Sequence, residues 1–249
     1  MKKYELTSET KVINGVELHR IKALNSFGNI KEGDLGGWIE SEKNLSQDGD
    51  AWVYGNAVVR GNAKVFDNAT VYGNAKVGRN ATMGGNAWVY GNAKVGGNAK
   101  VIDNATVSGN ATVRDNATVG AYAWVCGNAT VGGNATIYEN ATVEDNATVC
   151  GNAKIYGNAT IGGDATVSGK EDFIVFKNWW SSGRYFTWTR SNNKWKVGCF
   201  YGSGEELIAK AYKDSEKSGR EYERVVKYVN DILKEEEDND NGNRNKCED

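Results

Sequence analysis

Proline is absent from the 249 residues, and histidine occurs once, as His19. A single imidazole cannot build a zinc site, which needs three or four converging ligands. It also leaves one candidate for the usual general base at neutral pH. The cysteines Cys126, Cys150, Cys199 and Cys247 lack the Cys-x-x-Cys spacing of metal ligands. A disulfide framework would be denser and the chain shorter. No apolar run approaches a membrane span, and Lys2-Lys3 has no apolar stretch behind it that would make a secretory signal. The formal net charge of −2 gives no global field to draw in nucleic acid. These absences predict a cytoplasmic protein with no metal, no cofactor and no membrane partner.

Glycine, by contrast, occurs 31 times, and without proline this implies many tight turns of one kind. From Val53 to Val167 an aliphatic residue recurs every six positions without a break, with Met83 in the series. Alanine stands two residues before each, from Ala51 to Ala165, and Asn or Asp precedes the alanine everywhere except at Tyr122. The unit is Gly/Asp-Asn-Ala-x-Val-x. The aliphatic points inward from a short strand, the alanine fills a tight corner, and the Gly-Asn pair supplies a turn that tolerates positive φ. Both x positions face outward by strand alternation. Three units close a triangular coil of 18 residues, so twenty aliphatic positions give six to seven coils, each rising roughly 4.8 Å.

This unbroken pattern resembles the hexapeptide-repeat family, over about half of the chain. The resemblance implies an all-β solenoid, a left-handed parallel β-helix, here followed by a small α+β module. Many family members are trimeric acyltransferases with a histidine base and loops that interrupt the coils, and another branch binds zinc through several histidines. Here no insertion breaks the repeat, and His19 lies outside it, where it reads as a strand residue of a capping hairpin. The expectation is therefore a protein without catalytic residues, with an acyl-CoA-dependent acyltransferase as the alternative. Asn-Ala-Thr occurs ten times, and each copy reads as a repeat turn rather than a glycosylation site. Ice binding would need Thr-x-Thr on one face of every coil, and that pattern is missing.

The outward positions sort onto three faces. Trp52, Trp88 and Trp124 are spaced by 36 residues, two coils, and Tyr54, Tyr72 and Tyr90 by 18 residues, one coil. They predict an aromatic column on one face and a homo-oligomer interface there, with a trimer favoured by the family resemblance. A second face carries Phe66, Ile102, Tyr138 and Tyr156, and the oligomer is expected to form through both aromatic faces. The third, through Arg60, Lys76, Lys94 and Arg114, has no aromatics.

Residues 1–34 read as an N-terminal cap built on a hairpin, with strands flanking Asn14-Gly15. The β-helix is expected over 35–169. Its opening, from Gly36-Gly37-Trp38 to Ala51-Trp52, is similar to uncharacterised hexapeptide-repeat proteins of bacteria and prophages, which implies a bacterial or phage origin. Residues 170–234 predict strands at 173–177, 184–190 and 194–201, then helices near 204–214 and 219–234. This module holds 13 basic and 9 acidic residues. Arg184, Phe186, Trp188 and Arg190 are expected on an exposed strand face, with Lys194 and Lys196 beside them. Cations interleaved with aromatics suit a nucleotide or nucleic acid. A host protein is a further candidate ligand, and the same face could instead serve as a C-terminal cap. The tail, 235–249, is acidic and expected to be disordered.

Overall fold

A computed structural model describes residues 2–244. The chain divides into two compact units, one of residues 1–175 with 189–192, the other of 176–188 with 193–249. Three strands open the first unit: β1 (Tyr4–Ile13), β2 (Val16–Ala23) and β3 (Leu35–Ile39). β1 and β2 pair as an antiparallel hairpin across Asn14-Gly15, both at positive φ, and His19 lies in β2 opposite Thr10 and Ile39. Twenty two-residue strands follow, β4 (Trp52–Val53) to β23 (Thr166–Val167), one per repeat. Every third strand stacks in parallel, so the coils have three sides. One face holds seven of these strands, another six, and the third continues from β1-β2-β3 into β5 (Val58–Val59) and on to β23.

The repeat explains its own geometry. Within each coil the alanine and the aliphatic are buried to 2% exposure or less from Ala51 to Val167, forming one continuous core. Full burial of such an aliphatic contributes about 1.5–3 kcal/mol. Between coils the backbone pairs upward, as where Thr70 N–H donates to Ala87 O at 2.8 Å and Tyr72 N–H to Val89 O at 3.0 Å.

Positive φ falls on the first residue of the Gly-Asn pair and not on the asparagine. Where that first residue is aspartate, the carboxylate serves the next coil. Asp67, Asp103, Asp115 and Asp145 accept from the backbone N–H of Gly85, Ala121, Gly133 and Gly163 at 2.9–3.0 Å. Aspartate tolerates the left-handed region better than most side chains, so each substitution gives up little and gains a hydrogen bond. The asparagines take a different role. Their side-chain amides stack in ladders, from Asn62 through Asn80, Asn98, Asn116 and Asn134 to Asn152 on one corner, each bonded to the next at 2.9–3.1 Å.

The N-terminal end is closed by polar plugs as well as by the hairpin. Asn44 is fully buried, and its amide donates to Gly61 O and Ala63 O, both at 2.9 Å. Lys3, also buried, donates to Gly49 O at 3.1 Å and Ala51 O at 3.0 Å. At the other end, Ser191 accepts from Thr166 N–H at 2.8 Å and Asn192 donates to Asp164 at 2.9 Å. The 189–192 turn thereby belongs to the first unit.

An antiparallel sheet of β24 (Phe173–Lys177), β25 (Tyr185–Thr189), β26 (Lys194–Val197) and β27 (Phe200–Gly202) follows in that order. The strand expected over 194–201 is thus broken. Gly198, at φ +57°, turns it back so that Val197 pairs with Phe200, a two-residue hairpin of the kind glycine favours. Helix α1 (Gly204–Asp214) is capped by Ser203, whose hydroxyl accepts from Glu206 N–H at 3.2 Å. Helix α2 (Glu216–Arg244) runs past residue 234, into the segment expected to be disordered. Once Tyr222, Val226 and Val229 anchor it in the core, each added residue gains a hydrogen bond without a new nucleation cost. Of the expected tail, 245–249 lie outside the described residues.

Candidate functional site

The second unit is built around aromatic rings. Phe186 stacks on Phe176 at 5.4 Å and meets Trp195 at 6.0 Å, Tyr222 at 5.2 Å and Trp180 at 6.1 Å. Phe186 and Trp188 are each 1% exposed, which corrects their expected place on an open face. The physical reason is packing: Phe186 lies against the rings of Trp195 and Tyr222, so this side of β25 meets the core and not solvent. Trp188 instead spends its indole N–H on Asn193, at 2.8 Å.

Beside this cluster lies a cavity of about 320 Å³, lined among others by Asn178, Arg184, Cys199, Lys210, Asp214 and Tyr222. The 177–184 loop, the β26–β27 turn and helices α1 and α2 supply these residues. Asn178 is fixed by backbone and side chain: its N–H donates to Arg184 O at 2.7 Å, its amide donates to Tyr222 Oη at 3.1 Å, and its Oδ1 accepts from the Ser181 N–H at 3.0 Å. Burial pushes the Tyr222 hydroxyl up, and Asp214 adds to that, while the Asn178 bond and Arg184 oppose it. Tyr222 therefore stays a neutral phenol at physiological pH. Two cations and one carboxylate around neutral polar groups suit a small anionic ligand.

The expected binding residues are not brought together as a set. Arg184 lines the cavity and is exposed. Lys194 and Lys196 are half-buried in β26 and do not line it. Arg190 belongs to the first unit, where its N–H donates to Asp172 O at 2.8 Å and its Nε to Glu171 O at 2.9 Å. Asn178, Lys210, Asp214 and Tyr222 escaped the sequence reading, because a loop and two helices converge on the cavity and no spacing links them.

On the β-helix, the aromatic column is present with one change. Trp52 is buried beneath Tyr4 and Phe27, whose rings meet it edge-on at 6.2 and 5.4 Å, because the N-terminal cap covers the first coil. Tyr54 is half-buried. Farther along, Tyr72 and Tyr90 lie stacked at 4.7 Å, and Tyr72 meets Trp88 edge-on at 6.3 Å. Trp88 and Trp124 stand 49% and 45% exposed.

Among the described residues no group of three or more His, Cys, Asp or Glu could hold a metal ion. Among the same described residues no helix is long and apolar enough to cross a membrane.

The geometry defines a β-solenoid of hexapeptide repeats carrying a small sheet-and-helix module. Comparison with known proteins points the same way. The YdcK β-solenoid repeat family model matches residues 153–169. The uncharacterized acetyltransferase YdcK of Escherichia coli (strain K12) is 34% identical over 62 residues, 22% of this chain and 19% of that protein. The chain thus matches about a fifth of that relative's length.

Proposed function

We propose that the protein is a β-helical scaffold of bacterial or phage origin, acting in the cytoplasm, which presents its second unit as a binding module for a small anionic ligand such as a nucleotide. The observation that carries this reading is the cavity lined by Arg184, Lys210, Asn178 and Tyr222. The solenoid adds support, since its strands succeed one another every six residues from β4 to β23 with no inserted loop. Homo-oligomerisation, as a trimer, through the exposed part of the aromatic column would present the module in several copies and raise avidity. A ligand that binds only the native state raises its melting temperature. A nucleoside monophosphate should therefore stabilise the native chain and not Arg184→Gln. The reading fails if no nucleoside monophosphate stabilises the chain, or if the shift survives that substitution.

The second reading is an acyltransferase, favoured by the name of the similar Escherichia coli protein, an uncharacterized acetyltransferase. It predicts protection from thermal unfolding by acetyl-CoA that Arg184→Gln does not remove, together with transfer of the acetyl group.

A further inference from the structure

The third face of the β-helix carries cations that nothing above uses. A groove of about 460 Å³ runs along it, lined by Arg60, Lys76, Arg79, Lys94 and Arg114, with Asp115 the one acid among the lining residues. Only Arg114 has that carboxylate at hand, at 3.2 Å. Lys76 and Lys94 are direct register partners on neighbouring parallel strands, about 4.8 Å apart along the solenoid. Like charges placed opposite one another in a sheet are destabilising. Lys11, on β1, feels the same field: burial lowers its pKa first, and the nearby Arg20 and Lys76 lower it further.

The fold does not require these lysines. Later coils place Thr112, Thr130, Thr148 and Thr166 at the same outward position. Nor does packing require two of the glycines that line the groove, Gly78 and Gly96. A Cβ on Gly96 would meet nothing within 4 Å, and one on Gly78 only Arg60, at 3.7 Å. Neither glycine has a positive φ. Their missing side chains open the groove, and the lysines charge it.

We propose that this face binds a compact oligophosphate, a ligand of several condensed phosphate groups. Five cations against one carboxylate within a single groove match a dense anion. The lining contains no aromatic ring on which a base could stack, and nucleic-acid grooves combine their cations with such rings. The phosphate chain is therefore what the groove recognises.

Calorimetric titration of the full chain with inorganic tripolyphosphate, in about 0.1 M salt, tests this. Saturable binding at one site per chain is expected, with orthophosphate binding far more weakly. The double substitution Lys76→Thr/Lys94→Thr installs the residue the fold itself uses, and should weaken binding by about tenfold or more. Gly96→Leu, which fills the groove and leaves its charge, should weaken it too, while Arg184→Gln in the second unit should not. Circular dichroism confirms that each variant remains folded. No saturable binding, or binding indifferent to both groove variants, overturns the proposal. So does tighter binding of a single-stranded oligonucleotide than of tripolyphosphate, which would assign the face to nucleic acid.

Discussion

The side-chain amide of Asn98 donates to the carbonyl of Asn116 at 2.9 Å, and Asn116 donates in turn to Asn134 at 3.0 Å. The ladder adds a side-chain tie from coil to coil at a corner where the backbone also pairs, as where Asn116 N–H donates to Gly133 O at 2.8 Å. Asn116→Ala removes both links and should cost about 1–2 kcal/mol, read as a lower midpoint in urea with unchanged slope. The corner that runs through Asn68, Asn86 and Asn104 meets Tyr122 next, 68% exposed, where its ladder stops. Tyr122→Asn should extend it and raise stability by about 0.5–1 kcal/mol. A loss of stability would show that the ladders contribute nothing.

Overfilling a corner should be as costly as emptying one. Ala111 is fully buried in the core beside the turn, and Ala111→Leu should cost about 1–3 kcal/mol by overpacking. An unchanged melting temperature would mean that the corners hold space the structure does not show.

The second unit has its own sensitive points. Trp180 is buried, and its indole N–H has no hydrogen-bond partner. Trp180→Phe removes that orphan donor and keeps a ring against Tyr222, so it should change stability by less than about 1 kcal/mol, against about 3–5 kcal/mol for Trp180→Ala. Equal losses in the two variants would contradict this account of the aromatic cluster.

Lys3 gives stability a pH dependence. Burial lowers its pKa from 10.5 to about 8, against the opposing pull of Asp50 and Asp48. Between those values the unfolded chain binds more protons than the folded one, so stability from this group rises with pH from about 8 toward 10.5. Tyr4 acts in the opposite sense at higher pH. Burial, with Glu42 adding to it, pushes its hydroxyl up, so its contribution falls as pH rises above the unfolded value near 10. Urea midpoints measured from pH 7 to about 10 should climb for the native chain relative to Lys3→Met. A constant difference would show that Lys3 titrates alike in both states.

Much of the fold is legible because the repeat repeats. Ala, Val and the turn glycine each meet the same neighbours in every coil, so one reading serves all twenty strands, and the hairpin at Asn14-Gly15 declares itself by turn chemistry. Beyond the repeat, legibility drops. The third strand of the small sheet was read as continuous because Gly198 looks like any strand glycine until its φ is known. Phe186 and Trp188 alternate as an exposed face would, but whether that face meets the core depends on tertiary packing, which no composition reveals. Trp52 has the same sequence context as Trp88 and differs only in lying under Tyr4 and Phe27, contacts made across some 25 to 50 residues of chain. The cavity at Arg184 was half visible, since its cation was named and its partners from α1 and α2 were not.

The account's central claim is that the second unit holds a small anionic ligand while the solenoid acts as a scaffold. Native mass spectrometry of the purified chain tests it most directly. The account predicts an excess mass matching a nucleotide-sized anion on the native chain, released on denaturation and absent from Arg184→Gln/Lys210→Gln. An excess mass of acetyl-CoA, or a nucleoside monophosphate retained in that double variant, would contradict it.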